Sequence, residues 1–220
     1  MRNLFLFTLL ISFNAIAQPP ASEEPHHKVV FQNDYVRLLE GHVAAHDTAF
    51  AHIHAANGVV VFLSKSTFAI QNVGAKPVIS EVNPGDLKYV AYGDKPVTHL
   101  VWNESTAMFH FIVVELLKQH IGDDTCSIIT QPDIKFQWQQ KKVSAYYLDI
   151  ARGGQYSLPK SNCAYLLIDI SGGITTVSSD GRGGTRSLQA DGFAFYLPHN
   201  DIKINGSNAE NARVVLLQLN

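Results

Sequence analysis

Two cysteines, two methionines and two tryptophans in 220 residues rule out a densely disulfide-bonded scaffold and a cysteine-rich zinc module. Charge is sparse and balanced. Lys and Arg total 17 against 19 Asp and Glu, and charged residues make up 16% of the chain. That balance gives no electrostatic footprint for nucleic acid or an anionic membrane. The longest basic run is Lys141-Lys142, which a solvated strand end explains. No segment carries a sustained helical period, which excludes a helix bundle and an alternating α/β chain.

The one long apolar stretch is N-terminal and too short to span a bilayer. Arg2 precedes an apolar run over 4–13, and Ala15-Ile16-Ala17 is a small-x-small cleavage signature before Gln18. Residues 1–17 therefore read as a signal peptide. The mature chain is expected to be periplasmic or secreted, with no membrane association after cleavage. Cys126 and Cys163 are then compatible with one disulfide, and equally with two buried thiols.

What the rest of the chain does have is strands. Short β-branched and aromatic runs at 35–43, 59–63, 67–71, 87–90, 99–102 and 108–116 are separated by turn signals such as Asn83-Pro84-Gly85-Asp86. The order of events then recurs. The run at 59–64 matches 165–170, 83–90 matches 190–197, and 109–116 matches 213–219. A nearly constant offset across three segments is the mark of duplication. The fold class is all-β, two tandem antiparallel barrels, over 18–122 and 123–220.

His52-Ile53-His54 is the residue pattern with the most chemistry in it. Residues two apart on a strand project from one face, near enough for two imidazoles to hold one ion, and His99 on a neighbouring strand would supply a third. Gly85-Asp86 before His99, and Asn103 after it, complete a recurring arrangement. On these residues the chain resembles the cupin superfamily, in the tandem form called a bicupin. Cupins are jelly-roll barrels with a first motif of glycine, five residues, His-x-His, a short gap and glutamate. Their second motif runs from a glycine to a histidine and then an asparagine. Here His52 and His54 match the first motif, and Gly85, Gly93, His99 and Asn103 the second. His46 takes the place of the first glycine, Ala91 that of the proline, and Asp94-Lys95-Pro96 reads as an insertion. The glutamate's place falls on Gly58 or Val59, so at most three histidines remain.

The resemblance implies a divalent metal on His52, His54 and His99. Iron is favoured, and zinc, nickel, copper and manganese stay open, since imidazole suits several of them. In the second half the same offset puts Leu158, Lys160 and Lys203 at the ligand places, so that barrel is expected to be degenerate and metal-free. His42 and His110, with Glu40, are expected to be structural or to line the pocket. His26, His27, His120 and His199 are expected at the surface. Two functions fit: an exported metal-binding bicupin of dioxygenase type acting on a small organic substrate, or a non-catalytic module that holds a small ligand or metal. Cupins often dimerise by strand exchange, so a homodimer is open.

Overall fold

The computed structural model describes residues 18–117, 126–179 and 185–219. Residues 1–17, expected to be a signal peptide, the boundary at 122/123 and His120 lie outside the described residues. Among those described there are eighteen strands and one 3-10 turn, Ala21–Glu23.

The first nine strands are β1 (His27–Gln32), β2 (Val36–Val43), β3 (Thr48–His54), β4 (Asn57–Phe62), β5 (Ser66–Asn72), β6 (Val78–Val82), β7 (Leu87–Ala91), β8 (Val97–Asn103) and β9 (Phe109–Leu116). They form a five-stranded sheet, β1-β2-β9-β4-β7, and a four-stranded sheet, β3-β8-β5-β6, all pairs antiparallel. The second nine are β10 (Ile134–Gln140), β11 (Val143–Ile150), β12 (Gln155–Leu158), β13 (Ala164–Asp169), β14 (Ile174–Ser179), β15 (Thr185–Arg186), β16 (Phe193–Tyr196), β17 (Ile202–Gly206) and β18 (Ala212–Leu219). Their sheets, β10-β11-β18-β13-β16 and β12-β17-β14-β15, repeat the first topology strand for strand. Leu38 and Val59 both lie opposite Val114, and Val143 and Ala164 both lie opposite Leu219, each residue 105 positions after its counterpart (143 − 38, 164 − 59, 219 − 114).

Each barrel is a two-sheet roll around its own core, and a third core lies between them. Val36, Leu38, Val59, Val61, Ile112 and Val114 of the first five-stranded sheet pack against Ala145, Leu166, Ile168, Val215 and Leu217 of the second. Burial on both faces explains runs such as Leu166-Leu167-Ile168, which lack the alternation of a half-solvated strand. Alternate residues of one run serve different cores. Leu166 and Ile168 face the seam, whereas Leu167 faces the interior of the second barrel. Tyr147 Oη reinforces the seam by donating to the Gly85 carbonyl at 2.8 Å. Cys126 and Cys163 are paired in a disulfide, with Cα atoms 5.9 Å apart.

Because the seam is a single dry core contributed by both barrels, the two halves are expected to unfold together. Leu217→Ala, at a fully buried seam position, should cost about 2–5 kcal/mol. Urea unfolding of that variant, followed by circular dichroism and by the fluorescence of Trp102 and Trp138, checks both points. Two separated transitions would show that the barrels are independent.

Candidate metal centre

The interior of the first barrel carries the chemistry. β3 and β8 are antiparallel neighbours with His52 directly opposite His99, and His54 lies one inward position further along β3. A register shift between Ala49 and His52 marks a bulge that re-aims the strand just before the two histidines. The three rings therefore meet: centroids are 4.8 Å apart for His52 and His99, and 5.0 Å apart for His54 with either partner. All are buried.

A fourth histidine joins them. His27, at the start of β1, is 6% exposed rather than at the surface as its sequence neighbourhood suggested. Its ring lies 4.6 Å from that of His52, and the donor atoms of His27, His52 and His54 are all within 4.8 Å of one another. The cause is local. The 3-10 turn and Pro20, which bridges to Ile53, fold the segment before β1 over β3 and bury the Glu24 carboxylate against it. Glu24 accepts from His27 Nδ1 at 2.7 Å, His26 Nδ1 at 2.8 Å and Phe50 N at 3.0 Å. Burial alone would push its pKa up, but the hydrogen bonds from His27 and His26 hold it down at about 2.

The outward nitrogens are held. His52 Nδ1 is 2.6 Å from the Phe50 carbonyl, which can only accept, so Nδ1 carries the hydrogen and Nε2 the lone pair. His54 Nδ1 faces the Glu115 carboxylate at 3.7 Å, and Arg37 Nε binds the same carboxylate at 2.6 Å. Glu115 lies opposite Gly58, the place where a liganding glutamate was expected. A Cβ at Gly58 would meet the Val114 carbonyl oxygen at 2.6 Å, so no side chain fits there. The carboxylate reaches the site from the neighbouring strand and stands behind the histidine instead. An isolated charge inside the apolar run 111–116 was the sequence signal for Glu115; nothing comparable marked His27.

The donor set that converges within 4.8 Å is His27, His52 and His54, and it fits a metal ion; His99 is not part of that set. His52 Nε2 and His54 Nε2 are 3.1 Å apart. Two nitrogens about 2.0–2.1 Å from one ion, at tetrahedral or octahedral angles, stand about 2.9–3.4 Å apart. His99 Nδ1 is buried with no hydrogen-bond partner among the described residues, a deficit that a ligand bond would remove. Above the histidines lies a narrow cavity walled by Val60, Phe62, Phe68, Val101, Phe109 and Phe111, with Tyr92 and the exposed Lys88 as its other polar groups. Of the aromatic residues near the histidines in sequence, Phe62 and Phe111 line the cavity. Tyr89 instead packs on Trp138 at the seam, Phe50 is exposed, and Trp102 donates to Glu104.

No protein-family model matches the sequence, and no curated protein matches it. Solved structures do. A cupin 2 conserved barrel domain protein from Leptotrichia buccalis aligns with 88% of this chain and 88% of its own, at TM-score 0.53 and 12% identity. Salicylate 1,2-dioxygenase from Pseudoaminobacter salicylatoxidans aligns with 93% of this chain and 75% of its own, at 0.60 and 8%. Oxalate decarboxylase from Bacillus subtilis, studied for its Mn(II) centres, aligns with 86% and 70%, at 0.59 and 10%. The chain has the cupin fold. The first-motif position filled by His46 keeps a φ of 60°, the left-handed backbone that a glycine adopts without strain.

The two cupin barrels differ at their centres, and the sheet register corrects the alignment of the second. Opposite pairs His52 with His99 and His54 with Val97 correspond to Tyr156 with Ile204 and Leu158 with Ile202. Lys203 stands between the two isoleucines and points outward, exposed, and Lys160 pairs with Asp201 at 2.8 Å outside the barrel. A phenol and hydrocarbons fill the equivalent interior, where Tyr156 Oη donates to Gln131.

Burial first, and then the neighbouring His27 and His54 rings, pull the His52 pKa down to about 4. Burial with His54 and His52 pulls His99 down to about 2. In the unfolded chain both titrate near about 6.5. Below that pH the unfolded chain binds protons that the folded chain refuses, so stability falls on acidification, by about 1.4 kcal/mol per pH unit per histidine at the limit. His26 works in the opposite sense. Burial lowers its pKa, but Glu24 and Asp47 hold this half-buried ring above its ordinary value, one group set against two. The urea midpoint of metal-free protein should therefore drop between pH 7 and pH 5; a midpoint that rises would contradict the buried neutral cluster.

Asn103, 1% exposed, donates to the carbonyls of Val43, Ala44 and Ala107 and accepts from Ser105 N. It ties the end of β8 to the loop that leads into β3. Asn205 Nδ2 is engaged by Thr176. Although each begins an Asn-x-Ser triplet, both should stay unglycosylated when the chain passes through a eukaryotic secretory route, and intact-mass measurement checks this.

Proposed function

We propose that this chain is an exported tandem cupin whose first barrel holds one divalent ion on His52, His54 and His99, with His27 beside them, and acts as a dioxygenase-type oxidoreductase on a small organic anion. The observation that carries the reading is the 3.1 Å approach of two buried Nε2 atoms whose rings are oriented from behind by a backbone carbonyl and a carboxylate. Export is supported by the signal pattern at 1–17 and by the Cys126–Cys163 pair, since disulfides persist in oxidising compartments.

Bound there, the ion would supply Lewis acidity and, if it is iron, redox chemistry with dioxygen. The residues do the rest. Neutral imidazoles leave the charge of the ion uncancelled and so favour an anionic ligand. Lys88 at the mouth adds a cation, and the Phe and Val walls keep water from the reacting groups. Tyr92, its ring 5.5 Å from His54, offers the one hydroxyl on the cavity wall. Burial raises its pKa, so it remains a donor at neutral pH. The Glu24 and Glu115 carboxylates face the backs of histidines rather than the cavity, so they position ligands and do not move substrate protons. That scarcity of proton-transfer groups favours chemistry centred on the ion over acid–base isomerisation. It also sustains a second reading, a non-catalytic holder of metal or ligand.

Protein purified without an affinity tag tests the reading. The double variant His52→Ala/His54→Ala should lose one equivalent of metal that the wild type holds, and Glu115→Gln should keep the site but weaken it about 10–100-fold. Oxygen uptake after iron reconstitution, with a panel of small carboxylates and enolisable acids, separates the two functions. Metal retained with no uptake would decide for the holder, and full metal content in the double variant would remove these ligands.

A further inference from the structure

A second set of metal donors converges outside the first barrel, where the two barrels meet. Val36, Leu38, Glu40 and His42 share the face of β2 that turns to the seam. The first two are in its core, whereas Glu40 and His42 are at its rim. His110 stands directly opposite His42 on β9. The two imidazoles stack with centroids 4.1 Å apart and planes 17° apart. Glu40 Oε1 lies 3.1 Å from His110 Nε2 and 4.0 Å from His42 Nε2, and the donor atoms of all three fall within 4.8 Å of one another. From the other barrel, Asp191 brings Oδ2 to 3.4 Å from His110 Nδ1.

We propose that Glu40, His42 and His110 form a second divalent-metal site of zinc type, with Asp191 as its positioning carboxylate, so that the ion ties one barrel to the other. Three features point this way. The carboxylate behind Nδ1 is the arrangement that keeps the hydrogen on that nitrogen and leaves Nε2 as donor. The 3.1 Å edge between His110 and Glu40 already has the span of two ligands on one ion, and the exposed His42 has its Nε2 4.0 Å from the same carboxylate oxygen. The stack brings the Nε2 edges of both rings toward one carboxylate oxygen, Glu40 Oε1, so a single ion beside that oxygen can reach both. One carboxylate and two imidazoles leave a divalent ion with net positive charge and room for water or a further ligand, in the groove bordered by Leu188, Gln189 and Arg186. Lys28 lies across the β1–β2 ladder from Glu40, and Arg186 borders the groove, so the neighbouring cations are those of side chains that are not ligands. The site uses none of the interior histidines and does not depend on the function proposed for them.

Zinc titration of metal-stripped, tag-free full-length chain by calorimetry tests it. Wild type should bind one equivalent more than His42→Ala or Glu40→Gln, and zinc should still raise the melting temperature of the interior variant His52→Ala/His54→Ala. Asp191→Asn should weaken the seam equivalent about 10–100-fold. His42 is exposed and Glu40→Gln conserves volume, so at least one seam variant retains the fold, which circular dichroism verifies. Equal stoichiometry and affinity in wild type, His42→Ala and Glu40→Gln would overturn the proposal, as would a zinc-dependent rise in melting temperature that vanishes with His52 and His54 alone.

Discussion

The dry contact between the two five-stranded sheets is the constraint on which the rest depends. Each of these sheets has an apolar outer face that a lone barrel would leave in water, and packing one on the other removes both from solvent at the usual return for apolar area. The arrangement dictates what each barrel can do with its inner face. In the first, the inner face of the four-stranded sheet carries His52, His54 and His99 over a cavity; in the second, the corresponding places are filled with side chains. Duplication thus separates labour: one copy supplies a site, and the other covers the sheet behind it.

Buried carboxylates give the histidine cluster its form. Glu24 and Glu115 are each almost fully buried and each is matched by cationic or N–H partners, Glu115 by Arg37 and His54, and Glu24 by His26, His27 and the Phe50 amide. An unpaired charge so placed would be costly, so these contacts hold the rings in one orientation. Phe111 completes the packing by lying over Gly41, whose missing side chain is what admits the ring. The same logic of matched charge recurs at the seam rim with Glu40, His110 and Asp191.

Similarity to solved structures at 8–12% identity rests on fold and not on preserved chemistry. Proteins with a salicylate dioxygenase activity and proteins with Mn(II) centres share this topology, so function has to be argued from the residues inside the barrel. Among the described residues, the imidazoles of His27, His54 and His99 line the cavity and no carboxylate does. The difference is chemical. The Val114 carbonyl excludes a side chain at position 58, so under the proposed function no glutamate there would offset the charge of a bound ion, and an anionic partner would be favoured.

Strand periodicity, the repeat, the His-x-His triplet and His99 were legible in the sequence because each depends on spacing along one chain, which side-chain alternation converts directly into a shared face. The second barrel was legible as a fold, but the residues equivalent to the histidines were not. Leu158, Lys160 and Lys203 were two residues or one out of step with Tyr156, Leu158 and Ile204, because bulges shift register by single residues and only the ladder counts them. His27 and Glu24 entered the site through a segment that folds back over β3, and the Glu40–His42–His110 set came together at a seam between halves far apart in sequence. Contacts of that kind carry no local period. They are decided by which buried faces meet, and that belongs to the tertiary structure alone.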